Sequence, residues 1–117
     1  MQYLLLIYQS DAEFAKLSET EKGAIYQGYG EFTQGIVKSG HMRSGAGLKP
    51  VDTATTVRVR GGKTLTTDGP FAETKEQLSG FYLIEAKDVD EAIKVAARIP
   101  SARVGSVEVR PTIAPPA

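Results

Sequence analysis

Cysteine is absent from this 117-residue chain, and histidine occurs once. The first absence excludes disulfides, thiolate metal sites and cysteine nucleophiles. The second excludes every metal site built on several imidazoles. Neither charge is in excess, since 14 basic side chains are matched by 14 acidic ones. Residues 1–60 carry seven Lys/Arg and six Asp/Glu, and residues 61–117 carry seven and eight. Phosphate backbones and anionic bilayers bind concentrated basic surfaces, so direct nucleic-acid contact is not expected. Long apolar runs are missing too. A bilayer span needs about 20 apolar residues, and Tyr3–Tyr8 is too short, and too poor in basic leader, for a signal core. The expected class is a cytoplasmic protein with no membrane contact. Gly45-Ala46-Gly47 lacks the third glycine and helix start of a dinucleotide fingerprint, and no Gly-Lys-Ser/Thr follows a glycine-rich loop. No cofactor or metal is expected.

What is present suits one domain, expected over 1–112, with 113–117 as a frayed tail in which neither Pro115 nor Pro116 can donate a hydrogen bond. Hydrophobic residues make up 41% of the chain, enough for a core without staples. Tyr3–Tyr8 is continuously apolar and reads as a strand covered on both faces. Ser10-Asp11 breaks it. Ser18-Glu19-Thr20-Glu21 is a capping box, and Ile25, Tyr29, Phe32 and Ile36 follow on one helical stripe, ended by Gly40. Four internal glycines each cost that helix about 1 kcal/mol against alanine, so packing or a close approach must offset them. His41–Leu48 is a weak strand. Thr55–Arg60 alternates, with valines on one face and arginines on the other. Gly61-Gly62 announces a hairpin. A three-residue loop including Lys63 would set Val59 opposite Leu65 and is preferred to a two-residue loop, which puts Leu65 on the arginine side. Asp68-Gly69-Pro70 closes this arm. Gly80–Ala86 is a strand apolar on both faces. Asp88 caps a second helix, with Glu91 reciprocal and Val89, Ala92, Ile93, Ala96 and Ala97 as its buried stripe, stopped by Pro100. Val107 and Val109 mark an edge strand.

Two split βαβ units with an inserted hairpin predict an α+β, ferredoxin-like fold with both helices on one face of an antiparallel sheet. Helices cover only one face, yet the strands at 3–8 and 81–86 are apolar on both. A second copy packed sheet to sheet is the simplest cover, so a homodimer is expected.

Val57-Arg58-Val59, the run Thr67-Asp68-Gly69-Pro70-Phe71-Ala72-Glu73-Thr74-Lys75-Glu76-Gln77-Leu78, and Gly80-Phe81-Tyr82-Leu83-Ile84 together resemble the YCII-related family, in its branch named for an Asp-Gly-Pro-Phe motif. Asp88–Ala92, Ala97–Pro100 and Val107–Pro111 fit the same pattern. The resemblance spans the chain loosely and its second half closely. It implies a dimeric α+β barrel. It also implies a cleft lined in many members by a His–Asp pair, in a family that is mostly uncharacterised and includes one relative that looks like a dechlorinating enzyme. Association with extracytoplasmic-function sigma factors is a further implication.

Asp68 matches the family's aspartate. It reads either as a catalytic acid/base, its pKa raised by partial burial, or as an Asx-turn residue holding Gly69-Pro70. His41, the only imidazole, reads either as a site residue or as a group bonding the last helical carbonyls. The family histidine lies inside the first helix, where this chain has Tyr26 and Tyr29. Arg58 shares a strand face with Arg60, as an anion clamp or as edge-strand charge. Lys75 would help fix an anionic group, and Tyr26, Tyr29 and Phe71 would line an apolar cavity. No serine among Ser79, Ser101 and Ser106 has a histidine–acid arrangement. The leading expectation is a cleft between sheet and first helix that binds a small organic, anionic ligand, with Asp68 as acid/base in a lyase or hydrolase. The alternative is a non-catalytic sensing or interaction module serving sigma factors.

Overall fold

The computed structural model describes residues 1–114; residues 115–117, the end of the expected tail, lie outside the described residues. The chain runs β1 (Gln2–Gln9), α1 (Asp11–Ala15), α2 (Glu19–Lys38), β2 (Met42–Gly47), β3 (Thr55–Arg60), β4 (Lys63–Asp68), β5 (Gln77–Glu85), α3 (Val89–Ala96) and β6 (Ser106–Pro111). Two 3₁₀ turns, Val51–Thr53 and Pro100–Arg103, punctuate it. The capping box of α2 forms as spaced, with Ser18 Oγ and Glu21 Oε1 each accepting the other residue's amide at 3.1 Å. Gly40, at φ 82°, supplies the left-handed residue that ends the helix.

β2, β5, β1 and β6 form one antiparallel sheet in that order, and β3–β4 is a separate two-stranded sheet. This α+β arrangement is compatible with the expected ferredoxin-like pattern. Tyr3, Leu5 and Ile7 of β1 lie beside Tyr82 and Ile84 of β5 on one face, under Phe32 and Ile36 of α2 and Ala92, Val95 and Ala96 of α3. Leu5, Ile36 and Ile84 are fully buried, each contributing about 1.5–3 kcal/mol relative to an exposed position. Leu4, Leu6, Phe81 and Leu83 alternate onto the opposite face, where they stay half-buried.

Four local expectations change. Ser10 does not simply end β1; its hydroxyl accepts the Glu13 amide at 3.1 Å and caps α1. The buried stripe of α3 is rotated: Ala92, Val95 and Ala96 are inside, whereas Val89 and Ile93 are about half exposed, because the sheet meets the helix through its small residues. Glu91 does not reciprocate to Asp88; its carboxylate instead accepts the Lys87 amide at 2.6 Å. The arm turns through Gly61-Gly62 alone, pairing Arg60 with Lys63 and Arg58 with Leu65. Both glycines hold positive φ, 57° and 77°, the two-residue geometry whose twist matches the flanking strands. Turn geometry therefore outweighs the pattern that favoured Val59 opposite Leu65.

The arm stands away from the rest. Of its 12 strand residues, all but Thr56 are exposed, and Val57, Val59 and Leu65 remain at the surface. The radius of gyration is 16.2 Å, against about 13 Å for a compact chain of this size.

Candidate functional site

The inner face of the sheet runs out of side chains at one end. Register places Gly45 of β2 beside Tyr82 and Gly47 beside Gly80, so where α2 crosses this corner there is backbone underneath and little else. The result is a hollow of about 530 Å³ between α2 and the sheet. Gly80 has no room for more, since a Cβ there would lie 2.9 Å from the Ala46 carbonyl oxygen. At Gly47 a Cβ would meet nothing within 4 Å.

The walls come from three elements. α2 contributes Ile25, Tyr26, Tyr29 and Thr33; α1 contributes Phe14, whose ring meets Tyr26 edge to face at 6.0 Å. The Asp11 amide donates to Gln77 Oε1 at 3.0 Å, tying α1 to the start of β5. Lys49 stands at the rim beyond β2. Inside, Thr33 Oγ1 and the Tyr82 hydroxyl lie 2.8 Å apart. The Tyr29 hydroxyl donates to Ser101 Oγ at 2.7 Å, and Ser101 donates to Gln9 Oε1 at 2.9 Å. Burial pushes the Tyr29 phenol above its usual pKa, with the Ser101 hydrogen bond opposing. The hollow is thus mostly apolar, with hydroxyls inside and one residue of each charge, Lys49 and Asp11, among its lining, as small-molecule sites commonly are.

Of the residues singled out from sequence, Tyr26 and Tyr29 line this hollow. Asp68, Arg58 and Phe71 belong to the arm, where the Arg58 guanidinium sits 5.5 Å from the Phe71 ring centroid. Lys75 is exposed in the segment leading to β5. None of these four lines the hollow of its own chain. Gln9, Asp11, Phe14, Thr33 and Lys49 were not anticipated. The readable signal was the Gly45-Ala46-Gly47 interruption of a strand: such glycines often mark a place where something else must fit.

His41 lies at the far end of α2. Its Nδ1 is 2.6 Å from Ser39 Oγ and its Nε2 is 2.9 Å from Glu91 Oε1. The His41 bond, followed by the Lys87 amide, holds the Glu91 carboxyl below the usual carboxylate range. Serine, imidazole and carboxylate are in line, but Ser39 caps the carbonyl end of a helix, where acceptors gather. An acyl-transfer oxyanion needs donors at that point. These bonds make a strap from α2 to α3. Among the described residues, no three His, Asp or Glu side chains gather as metal ligands, and no helix is long and apolar enough to cross a membrane.

Comparison with known proteins gives the family that the sequence resembles. The family described as YCII-related domain matches residues 1–114. An uncharacterized protein of Rhizobium meliloti (strain 1021) is 38% identical over 113 residues, covering 95% of this chain and 91% of that protein.

Proposed function

The chain belongs to the YCII-related family, and from that premise we propose that the hollow under α2 binds a small, largely apolar organic ligand carrying an anionic group. The observation that carries this reading is the glycine floor of Gly45, Gly47 and Gly80, which leaves about 530 Å³ open beneath a helix. The Tyr29 and Tyr82 hydroxyls orient the ligand's polar part, and Lys49 meets its charge at the mouth. The protein works as a homodimer. The half-buried outer sheet face of Leu4, Leu6, Phe81 and Leu83 and the apolar side of the arm both favour that assembly, since a lone two-stranded hairpin is at best marginally stable. An acid/base role for Asp68, with Arg58 and Lys75 on the anion, then requires a cleft supplied by another copy, because these residues do not border their own.

A thermal-shift screen of small aromatic and aliphatic acids tests the ligand reading. Hits raise the melting temperature, since a ligand at 100 times its Kd adds about 2.7 kcal/mol to native stability. Gly47→Leu, whose side chain enters the open space, keeps the fold and removes the shift. A screen without hits, or hits indifferent to Gly47→Leu, overturns the reading. The exposed arm also favours a second reading, an interaction module that docks a protein such as a sigma factor. Capture of a purified sigma factor, lost when Val57 and Val59 are both replaced by Asp, would support it.

A further inference from the structure

α2 carries a second concavity on its other flank, a groove of about 460 Å³ between the helix and the Pro100–Arg103 turn. Ala24, Ile25, Gly28 and Phe32 form its helical side, and Pro100 and Val104 the other. Gly28 lets Pro100 pack against the helix, because a Cβ there would press on Pro100 Cγ at 3.0 Å. Two arginines border it. The Arg98 guanidinium lies 5.7 Å from the Phe32 ring centroid, and a Cβ on Gly35 would come within 2.9 Å of its Nη2. Two of the costly helix glycines thus have a purpose: one admits Pro100 and the other lets a guanidinium lie against the helix backbone.

Arg103 sits on a turn that is fixed from below. Ser101, 1% exposed, takes the Tyr29 hydroxyl proton and donates to Gln9, while the Gly105 amide donates to the Ser101 carbonyl at 2.7 Å. Among the described residues, neither Arg98 nor Arg103 makes a side-chain hydrogen bond or an ion pair. Arg43, Arg60 and Arg110 find acceptors, and Arg58 has only the Phe71 ring. The one acidic group on the groove is Glu31. Two guanidinium forks and one carboxylate around an apolar floor leave a net charge of +1.

We propose that this groove is a second binding site, distinct from the hollow between α2 and the sheet, and that it takes a monoanionic carboxylate borne on an apolar chain. Both arginines fork onto the carboxylate, the geometry in which guanidinium surpasses ammonium. The chain lies along Ile25, Pro100 and Val104. A single negative charge balances the groove, whereas a phosphate dianion would overcompensate it beside Glu31.

The test is a titration of the ¹⁵N-labelled protein with sodium octanoate. The Gly28 and Gly105 amides report on the groove, and the Gly45 and Gly47 amides on the hollow. Saturable shifts are expected at Gly28 and Gly105, with the same midpoint in Gly47→Leu. In the double variant Arg98→Gln/Arg103→Gln the midpoint rises about tenfold or more, consistent with loss of charge-assisted bonds. Thermal melts of that variant verify that it folds, and Arg103→Gln alone serves if the pair does not. Shifts confined to Gly45 and Gly47, a linear unsaturated response, equal binding of octanol, or a midpoint unmoved in the arginine variants each overturn the proposal. Absence of hits in the hollow with saturable binding at Gly28 would leave this site standing while removing the reading above.

Discussion

The Tyr29 hydroxyl donates to Ser101 across 72 positions of sequence, at 2.7 Å. That bond joins α2, at a residue lining the hollow, to the turn that borders the groove. Ser101→Ala removes the acceptor for Tyr29 and the donor for Gln9 at a position itself only 1% exposed. The expected cost is about 1–3 kcal/mol in urea denaturation, the usual penalty for stranding buried polar groups. A loss below a few tenths would show that the relay contributes nothing to stability.

The strap between His41 and Glu91 predicts a pH dependence. A carboxyl held below its ordinary value in the native state binds fewer protons there than in the unfolded chain. Its contribution is complete above the ordinary carboxylate pKa, 4.5, and is lost as pH falls through the depressed native value. Melting curves of wild type and Glu91→Gln should therefore differ near neutrality and converge in acid. Curves separated by a constant gap from pH 7 to pH 3 would contradict this.

Floor glycines should split into two kinds. Gly80→Ala forces Cβ against the Ala46 carbonyl, which belongs to the neighbouring strand and cannot swing aside. We expect a loss of about 1–3 kcal/mol, as for other overpacked sites. Gly47→Ala meets only open space and should change stability by well under 1 kcal/mol. Denaturation midpoints of the two variants decide the matter, and equal costs would contradict the proposed floor.

Assembly is testable by mass. Sedimentation equilibrium at micromolar concentration should return twice the 12.6 kDa of the chain. Leu83→Asp, which sets a charge on the outer sheet face, should return the single-chain mass without unfolding. A stable wild-type monomer would leave both the sheet face and the arm unexplained.

Much of the fold was legible because local signals and hydrophobic period agreed. Ser18 with Glu21, Gly40, and the stripe through Phe32 and Ile36 each had one consistent reading, and each holds its place. Where two signals conflict, turn geometry and close packing prevail over hydrophobic pattern. Val59 opposite Leu65 satisfied pattern, but paired positive-φ glycines fix the turn at two residues. For α3, Val89 and Ile93 were assigned to the inside by hydrophobicity alone, whereas close packing selected Ala92, Val95 and Ala96.

The site was less readable for a different reason. Tyr26 and Tyr29 could be named because aromatic residues announce themselves, but a cavity floor is made of what is missing. Gly45 and Gly47 were visible as strand breakers, and only register with Gly80 turns them into a space. Thr33 and Lys49 have no local pattern at all. Asp68, Arg58, Lys75 and Phe71 stood out by motif, yet one chain does not gather them around its hollow.

A chamber that exists by omission has a capacity separable from folding. Gly47 pairs through its backbone whatever its substituent, and nothing waits to collide with the first carbon placed there. Under the ligand reading, one codon at that position is enough to shrink what the hollow admits, or to shut it out. Divergence of appetite among descendants of this scaffold can thus proceed in steps of a methyl group, with the strands never rethreaded.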